Sequence, residues 1–314
     1  MMNLYTTKNN RLEIIDKPED GCWVSMVRPK EEEITLISEA CAVDKDALRA
    51  ALDPDERSRI ESDDLYTMIL VNIPTVEEQN DRELYNTIPL SIIVTETTVI
   101  TVCSEDSAVL QQFANGKIRD FHTNMKSRFI LQILYKIAML YLLYLHNIDK
   151  KSEEVENKLH KSTENRELIE LLKLEKSLVY FTTSLRSNEV VLEKLLRNEI
   201  IKKYPEDADL LEDVIVENKQ AIEMANIYSG ILSGMMDAFA SVISNNLNIV
   251  MKVLAIITVV MAIPTIIFSA YGMNVAMTGM PFANSPYGFW IIVVISVVLS
   301  VLVTLIFGKL KMFK

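Results

Sequence analysis

After Asp237 the chain carries no acidic residue, and within that stretch two runs, Val253 to Tyr271 and Trp290 to Phe307, carry no charge of either sign. A helix needs roughly 20 apolar residues to cross a bilayer, and in hydrocarbon every backbone N–H and C=O must be paired within the structure. The two runs predict a hairpin of transmembrane helices, spans 253–271 and 290–308, joined by a loop over 272–289. Lys252 precedes the first span, Lys309, Lys311 and Lys314 lie in a basic tail over 309–314, and the loop has no Lys or Arg. The positive-inside rule then puts both termini in the cytoplasm and the loop outside, in a multi-pass protein of the cell inner or plasma membrane. The N-terminus MMNLYTTKNN lacks the apolar core of a signal peptide.

The four lysines leave 28 basic against 43 acidic residues in 1–237, a net charge of −15. Such a polyanion is unsuited to nucleic acid and suited to cations. Cys22, Cys41 and Cys103 are odd in number and scattered, as in a reduced cytosolic protein. A third apolar stretch, Phe129 to Leu145, contains Gln132 and Lys136 and runs into DKKSEEVENKLHK, so it predicts a buried cytosolic helix rather than a span.

Residues 1–125 alternate strand and helix signals. LEIID, CWVSMV, LYTMILVNI, LSIIVTE and TVITVCSE are β-rich runs, TETTV suits a hairpin turn, and EEEITLISEAC and KDALRAAL suit short helices. The fold class expected is α+β, a mixed sheet with helices. Residues 126–204 predict two long helices, from about Ser127 to Lys161 and from Arg166 to Asn198, separated at KSTEN. In KKYPEDADLLED, Pro205 and the acids Glu206, Asp207 and Asp209 mark a fresh helix start. That helix is expected to run unbroken to Tyr271, a stalk over 205–252 followed by the first span, about 100 Å at 1.5 Å per residue.

Alternating steps of four and three along it from Asp237 meet Ser241, Ser244, Asn248, Met251, Ala255, Thr258, Ala262, Thr265, Ser269 and Gly272. All but Met251 are small or polar. One explanation is a seam for packing against another membrane helix. The other is a face turned to a water-filled axis, with Asp237 favouring cations. Two spans cannot enclose a pore, so the second explanation requires several copies. Hydroxyls, amides and carbonyls suit a hard, hydrated cation such as Mg²⁺, whereas Zn²⁺ or Cu⁺ would call for His or Cys. His122, His146 and His160 lie far from the spans. Tyr271-Gly-Met-Asn274 itself reads as a helix ending, since Gly permits and Asn tolerates the left-handed conformation.

The stretch SNNLNIVMKVLAIITVVMAIPTIIFSAYGMN resembles the first membrane helix of CorA-type magnesium channels, in Ser244-Asn245, Asn248, Met251-Lys252, a late Pro264 and Tyr271-Gly272-Met273-Asn274. The resemblance extends upstream through CWVSMV and the long helices. It implies a funnel-shaped homopentamer with Asn274 at the outer pore mouth holding hydrated Mg²⁺, Gly272 setting the turn and Met273 supporting it. It further implies that Asn248 lines the pore, that Met251 and Leu254 form an apolar constriction, and that Asp237 forms a ring below. Asp213 in LLEDV corresponds to a regulatory Mg²⁺ ligand of the family. Its partner falls on Arg49 or Ala50, with Asp53 and Asp55 as nearby substitutes. The family's acidic loop motif is replaced here by Met280-Pro281-Phe282-Ala283.

The function expected is a gated channel for hydrated divalent cations, chiefly Mg²⁺, with Co²⁺ or Ni²⁺ as further cargo. The alternatives are a zinc transporter of the same superfamily, and a membrane-anchored interaction protein without transport. No phosphate loop, dinucleotide fingerprint or nucleophile–base motif occurs, so no enzyme is expected.

Overall fold

The computed structural model describes residues 1–8, 11–78, 83–159, 165–197, 205–274, 279–282 and 285–309. The chain divides into two units, Met1–Gly234 and Met235–Lys314.

The first unit holds a seven-stranded sheet in the order β2-β1-β3-β7-β6-β5-β4. Its strands are β1 (Met2–Lys8), β2 (Arg11–Ile15), β3 (Trp23–Val27), β4 (Arg59–Ser62), β5 (Tyr66–Glu78), β6 (Glu83–Thr95) and β7 (Val99–Cys103). Among the described residues only β3 and β7 pair in parallel, Trp23 opposite Val99 and Val27 opposite Cys103. The sheet is therefore mixed, and the hairpin expected at TETTV joins β6 to β7 with Val94 opposite Val99.

Strand periodicity sorts the core into two layers. Val24, Met26, Met68, Leu70, Ile100 and Val102 pack in one cluster with Ile34 and Ile37 of α1 (Glu31–Cys41) and Leu48 of α2 (Lys45–Arg49). Trp23 points to the opposite face, where its indole N–H donates to Thr101 Oγ1 at 2.9 Å. There it stacks on Tyr5 and meets Phe129 edge-on. Helices α3 (Ala108–Ala114), α4 (Lys126–Leu159) and α5 (Asn165–Arg197) cover that side, with Phe181 edge-on to both Tyr85 and Tyr141. Because both faces are covered, β7 is buried at every position and shows no polar alternation.

The apolar stretch 129–145 lies inside α4, and 56% of that helix's apolar window is buried within the fold. For α6 (Pro205–Tyr271) and α7 (Gly288–Lys309) the share is 6% each. All three helices are long and apolar enough to cross a membrane, but α4 has already buried its apolar face against the sheet. The three cysteines are free, and burial pushes the Cys103 thiol up to about 11.

Strands β5 and β6 run past Pro74 and Pro89 into 13-residue arms paired from Tyr66–Thr95 to Glu78–Glu83. The backbone N–H and C=O of Asn72 face away from β6 toward the β4 side, where β4 ends at Arg59 opposite Leu70 and leaves them without a ladder partner. The side chain of Asn188 on α5 supplies a strand-like partner. Its Oδ1 accepts from Asn72 N–H at 2.8 Å, and its Nδ2 donates to Asn72 O at 2.7 Å. Ser58 Oγ donates to the same Oδ1 at 3.0 Å, and Tyr141 Oη donates to Asn72 O at 3.0 Å.

Helix α6 enters the second unit at Met235 and ends at Tyr271, where the sequence places its end. The break at KSTEN, the residues 202–204 before Pro205, Ala283 and the tail lysines Lys311 and Lys314 lie, wholly or in part, outside the described residues.

Candidate functional site

The second unit contains the rest of α6, the return loop and α7. Apart from Ala262, the buried and half-buried positions of α6 in its membrane part are Ile249, Val253, Ile256, Val260, Ile263, Pro264, Ile267 and Tyr271. They form one stripe at alternating steps of three and four. On α7, Gly288, Ile292 and Ser296 form the buried stripe at steps of four. The polar seam lies elsewhere. Asp237, Ser241, Ser244, Asn248, Met251, Ala255, Thr258, Thr265, Ser269 and Gly272 are all exposed, and only Ala262 is half-buried. At about 100° per residue the seam lies about half a turn round the helix from the buried stripe. Packing of α6 on its own α7 therefore does not account for the small and polar residues.

Two hydroxyls of the seam are engaged by their own helix. Thr258 Oγ1 donates to Leu254 O at 2.8 Å, and Thr265 Oγ1 donates to Met261 O at 2.9 Å. Each thus keeps an oxygen lone pair facing outward while its proton is held by the backbone. Asn248 has no side-chain partner among the described residues and is exposed. Met251 and Leu254 are each 56% exposed and form an apolar step on this side of the helix.

At the end of α6, Gly272 N–H bonds back to Phe268 O at 2.9 Å and Ser269 O at 3.2 Å, closing the last turn. Met273 and Asn274 follow, both exposed. The left-handed conformation expected of Gly272 is not found. Among the described residues of this loop, Phe282 adopts it, at φ 63°. A Cβ on Gly272 would meet Phe268 O at 3.3 Å, so this glycine serves a tight carbonyl-capped turn rather than a positive φ. The sequence reading also missed a tether, in which Tyr271 Oη donates to Pro281 O at 2.8 Å and ties the returning loop to the helix just before Gly272. A tyrosine at the water-facing end of a span, followed by a proline that offers only a carbonyl, was the available signal.

Asp213 lies on the exposed side of α6 in the first unit, without an ion pair or hydrogen bond among the described residues. Arg49 is engaged by Glu31 at 2.6 Å and Asp46 at 3.5 Å. The hydrogen bond from Arg49 holds the Glu31 carboxyl below its ordinary value. Asp53 Oδ1 accepts from Asp55 N–H at 3.0 Å. Among the described residues, no three His, Cys, Asp or Glu side chains are grouped to hold a metal.

Residues 18–309 match the family model described as CorA-like Mg²⁺ transporter protein. The chain is 29% identical over 296 residues to the cobalt/magnesium transport protein CorA of Methanocaldococcus jannaschii, covering 91% of this chain and 90% of that protein. It is 25% identical over 270 residues to the cobalt/magnesium transport protein CorA of Thermotoga maritima, covering 84% and 75%. The complete structure of the CorA magnesium transporter from M. jannaschii superposes with a TM-score of 0.82 at 26% identity, covering 98% of each chain. That agreement takes in the mixed sheet, the long α6 and the C-terminal helix together. The chain belongs to the family of CorA-like Mg²⁺ transporters and is a membrane protein for divalent-cation transport.

Proposed function

We propose that five copies of this chain assemble around an axis lined by the polar face of α6 and pass hydrated divalent cations, chiefly Mg²⁺, with Co²⁺ or Ni²⁺ as further cargo. The observation that carries this reading is the separation of the two faces of α6. One is apolar and matched by α7. The other is small and polar and has no cover from its own chain. In hydrocarbon, an uncovered stripe of hydroxyl and amide groups is costly, and a shared aqueous axis removes that cost. Such a wall has no carboxylate between Asn248 and Ser269. It therefore suits an ion that keeps its water shell, as Mg²⁺ tends to do.

In this reading Asn274 holds the hydrated ion at the outer mouth through its amide oxygen, with Gly272 and Met273 shaping the turn. Asn248 and the seam hydroxyls line the pore, Met251 and Leu254 form a constriction that closes by dewetting, and Asp237 attracts cations at the inner end. Both termini lie in the cytoplasm, where the net charge of −15 over residues 1–237 concentrates cations. Asp213 serves as a regulatory Mg²⁺ ligand only if a neighbouring copy completes its shell.

The test is Mg²⁺ uptake into liposomes by purified protein, with mass measurement of the detergent-solubilised particle. A pentamer whose uptake falls at least about a hundredfold on Asn274→Ala is expected. Removing five acceptors, each contributing about 1 kcal/mol, is sufficient for that loss. A monomer or dimer as the sole species, or parental uptake by Asn274→Ala, would sink the reading.

A further inference from the structure

Gly288, at the first turn of α7, lies 14 residues beyond Asn274 and outside the polar face. Its φ is not positive, so conformational freedom is not why a glycine stands there. The reason is a close approach. A Cβ built on Gly288 would fall inside the contact distance of Phe282 O, and would come within 3.4 Å of Phe282 C. The obstacle is backbone rather than a side chain that can swing away.

Phe282 is itself constrained. It holds the left-handed conformation, and its carbonyl accepts from Ser285 N–H at 3.1 Å. Its neighbour Pro281 accepts from Tyr271 Oη at 2.8 Å, and Tyr271 directly precedes Gly272-Met273-Asn274. The contacts thus form a chain from the start of α7, through the returning loop, to the end of α6. Beside it lies a cleft of about 460 Å³ lined by Phe268, Tyr271, Met280, Phe282, Phe289 and Ile292. A displaced Phe282 has apolar space to move into, so the hairpin can accept a change at Gly288 while the loop shifts.

We propose that Gly288 is a positioning residue for the outer ion site: by lacking a side chain it seats the Phe282 carbonyl, and through Pro281 and Tyr271 it sets where Asn274 stands. The inference rests on the reading of Gly272–Asn274 as that site. It predicts that Gly288→Ala leaves the oligomer intact and misplaces the amide oxygens that face the ion.

The experiment uses the full-length protein in liposomes, with oligomer mass confirmed. The readouts are Mg²⁺ uptake and half-block by externally added hexaamminecobalt(III), an exchange-inert mimic of a hydrated cation. Gly288→Ala should lower uptake and raise the half-block concentration about tenfold, the equivalent of roughly one lost charge-assisted hydrogen bond. Tyr271→Phe, which adds no atom and removes only the donor, should shift block in the same direction. Gly308→Ala lies in the same helix with nothing within 4 Å of the new Cβ, and should leave both readouts unchanged. Parental block and uptake in an assembled Gly288→Ala protein overturn the proposal. If that variant fails to assemble, parental block by Tyr271→Phe overturns it instead. Asn274→Ala separates the two levels. If it loses block while Gly288→Ala keeps it, the ion site stands and the positioning role falls. If Asn274→Ala itself blocks and transports as the parent does, the site reading falls first.

Discussion

Two sets of amides and hydroxyls in this molecule have opposite fates. Around Asn188 in the first unit, Asn72, Ser58 and Tyr141 form a part-buried cluster in which both ends of the Asn188 amide are bonded. Asn188 is 4% exposed. Along α6 in the second unit, Ser244, Asn248, Thr258 and Thr265 stand exposed on a helix that is otherwise Val, Ile, Leu and Met. Among the described residues, the side-chain hydrogen bonds of this set are those of Thr258 and Thr265 to their own backbone. The first cluster fills a gap in the fold, the ladder position of Asn72 beyond the end of β4. The second repairs nothing in the chain that carries it. Polar groups satisfied within the subunit report on folding, and polar groups left over report on what the subunit meets.

The largest effect expected from this contrast is on stability. Asn188→Leu orphans the N–H and weakens the bonding of the C=O of Asn72, and should lower the unfolding free energy of the first unit by about 3 kcal/mol. Asn248→Leu, an equal change on the exposed face, should shift it by less than about 0.5 kcal/mol while reducing Mg²⁺ uptake. Equal destabilisation by the two, read from thermal unfolding in detergent, would erase the distinction drawn here.

A smaller effect is expected at the apolar step of the seam. If Met251 and Leu254 close a pore by dewetting, Met251→Ser should raise basal uptake about tenfold, or roughly 1.4 kcal/mol in the gate equilibrium. Unchanged uptake in a correctly sized oligomer would place the constriction elsewhere.

Regulation should give a severalfold effect at most. If Mg²⁺ bridges Asp213 to a neighbour, the metal should slow proteolysis of the first unit, and Asp213→Lys should remove that dependence. Equal Mg²⁺ protection in variant and parent would leave Asp213 a solvated surface acid.

The smallest effect belongs to Arg49 and Glu31. The lowered carboxyl of Glu31 stabilises the fold above its unfolded value, near 4.5, and that contribution disappears as pH falls through its folded value. Both side chains are solvent-exposed, so Arg49→Ala should leave the unfolding midpoint at neutral pH within error. A clear drop would show that the pair is covered in the assembly.

The contrast also explains what could be read in advance. The long helices were legible to within about two residues, because apolar periodicity, Pro205 with its acids and Gly272 mark them locally. Strand β1 was not. MNLYTTK has little apolar pattern, and it is a strand because Leu4 and Tyr5 are buried between β2 and β3. The arms of β5 and β6 were cut short at Pro74 and Pro89, since a proline reads locally as a strand end and nothing nearby in the sequence shows that the two strands pair on to Glu78 and Glu83. For the site, spacing alone found the seam on α6. Which face of α6 the chain leaves open depends on how α7 packs, and that is a tertiary fact. The role of Gly288 was hidden for the same reason, because its neighbour is a carbonyl six residues earlier in the sequence.

The bonds from Thr258 and Thr265 to their own helix carry a further consequence. A free hydroxyl is amphoteric toward a passing ion, offering a proton to an anion or an oxygen to a cation. Here the proton is already committed to Leu254 O and Met261 O, so what each threonine shows to the outside is an acceptor. A wall of such groups is polarised with its negative end outward at every turn where it occurs. In the proposed pore it would discriminate by the sign of the permeant species while carrying no formal charge. Its polarity does not titrate, so the discrimination would persist across pH values that neutralise a ring of carboxylates.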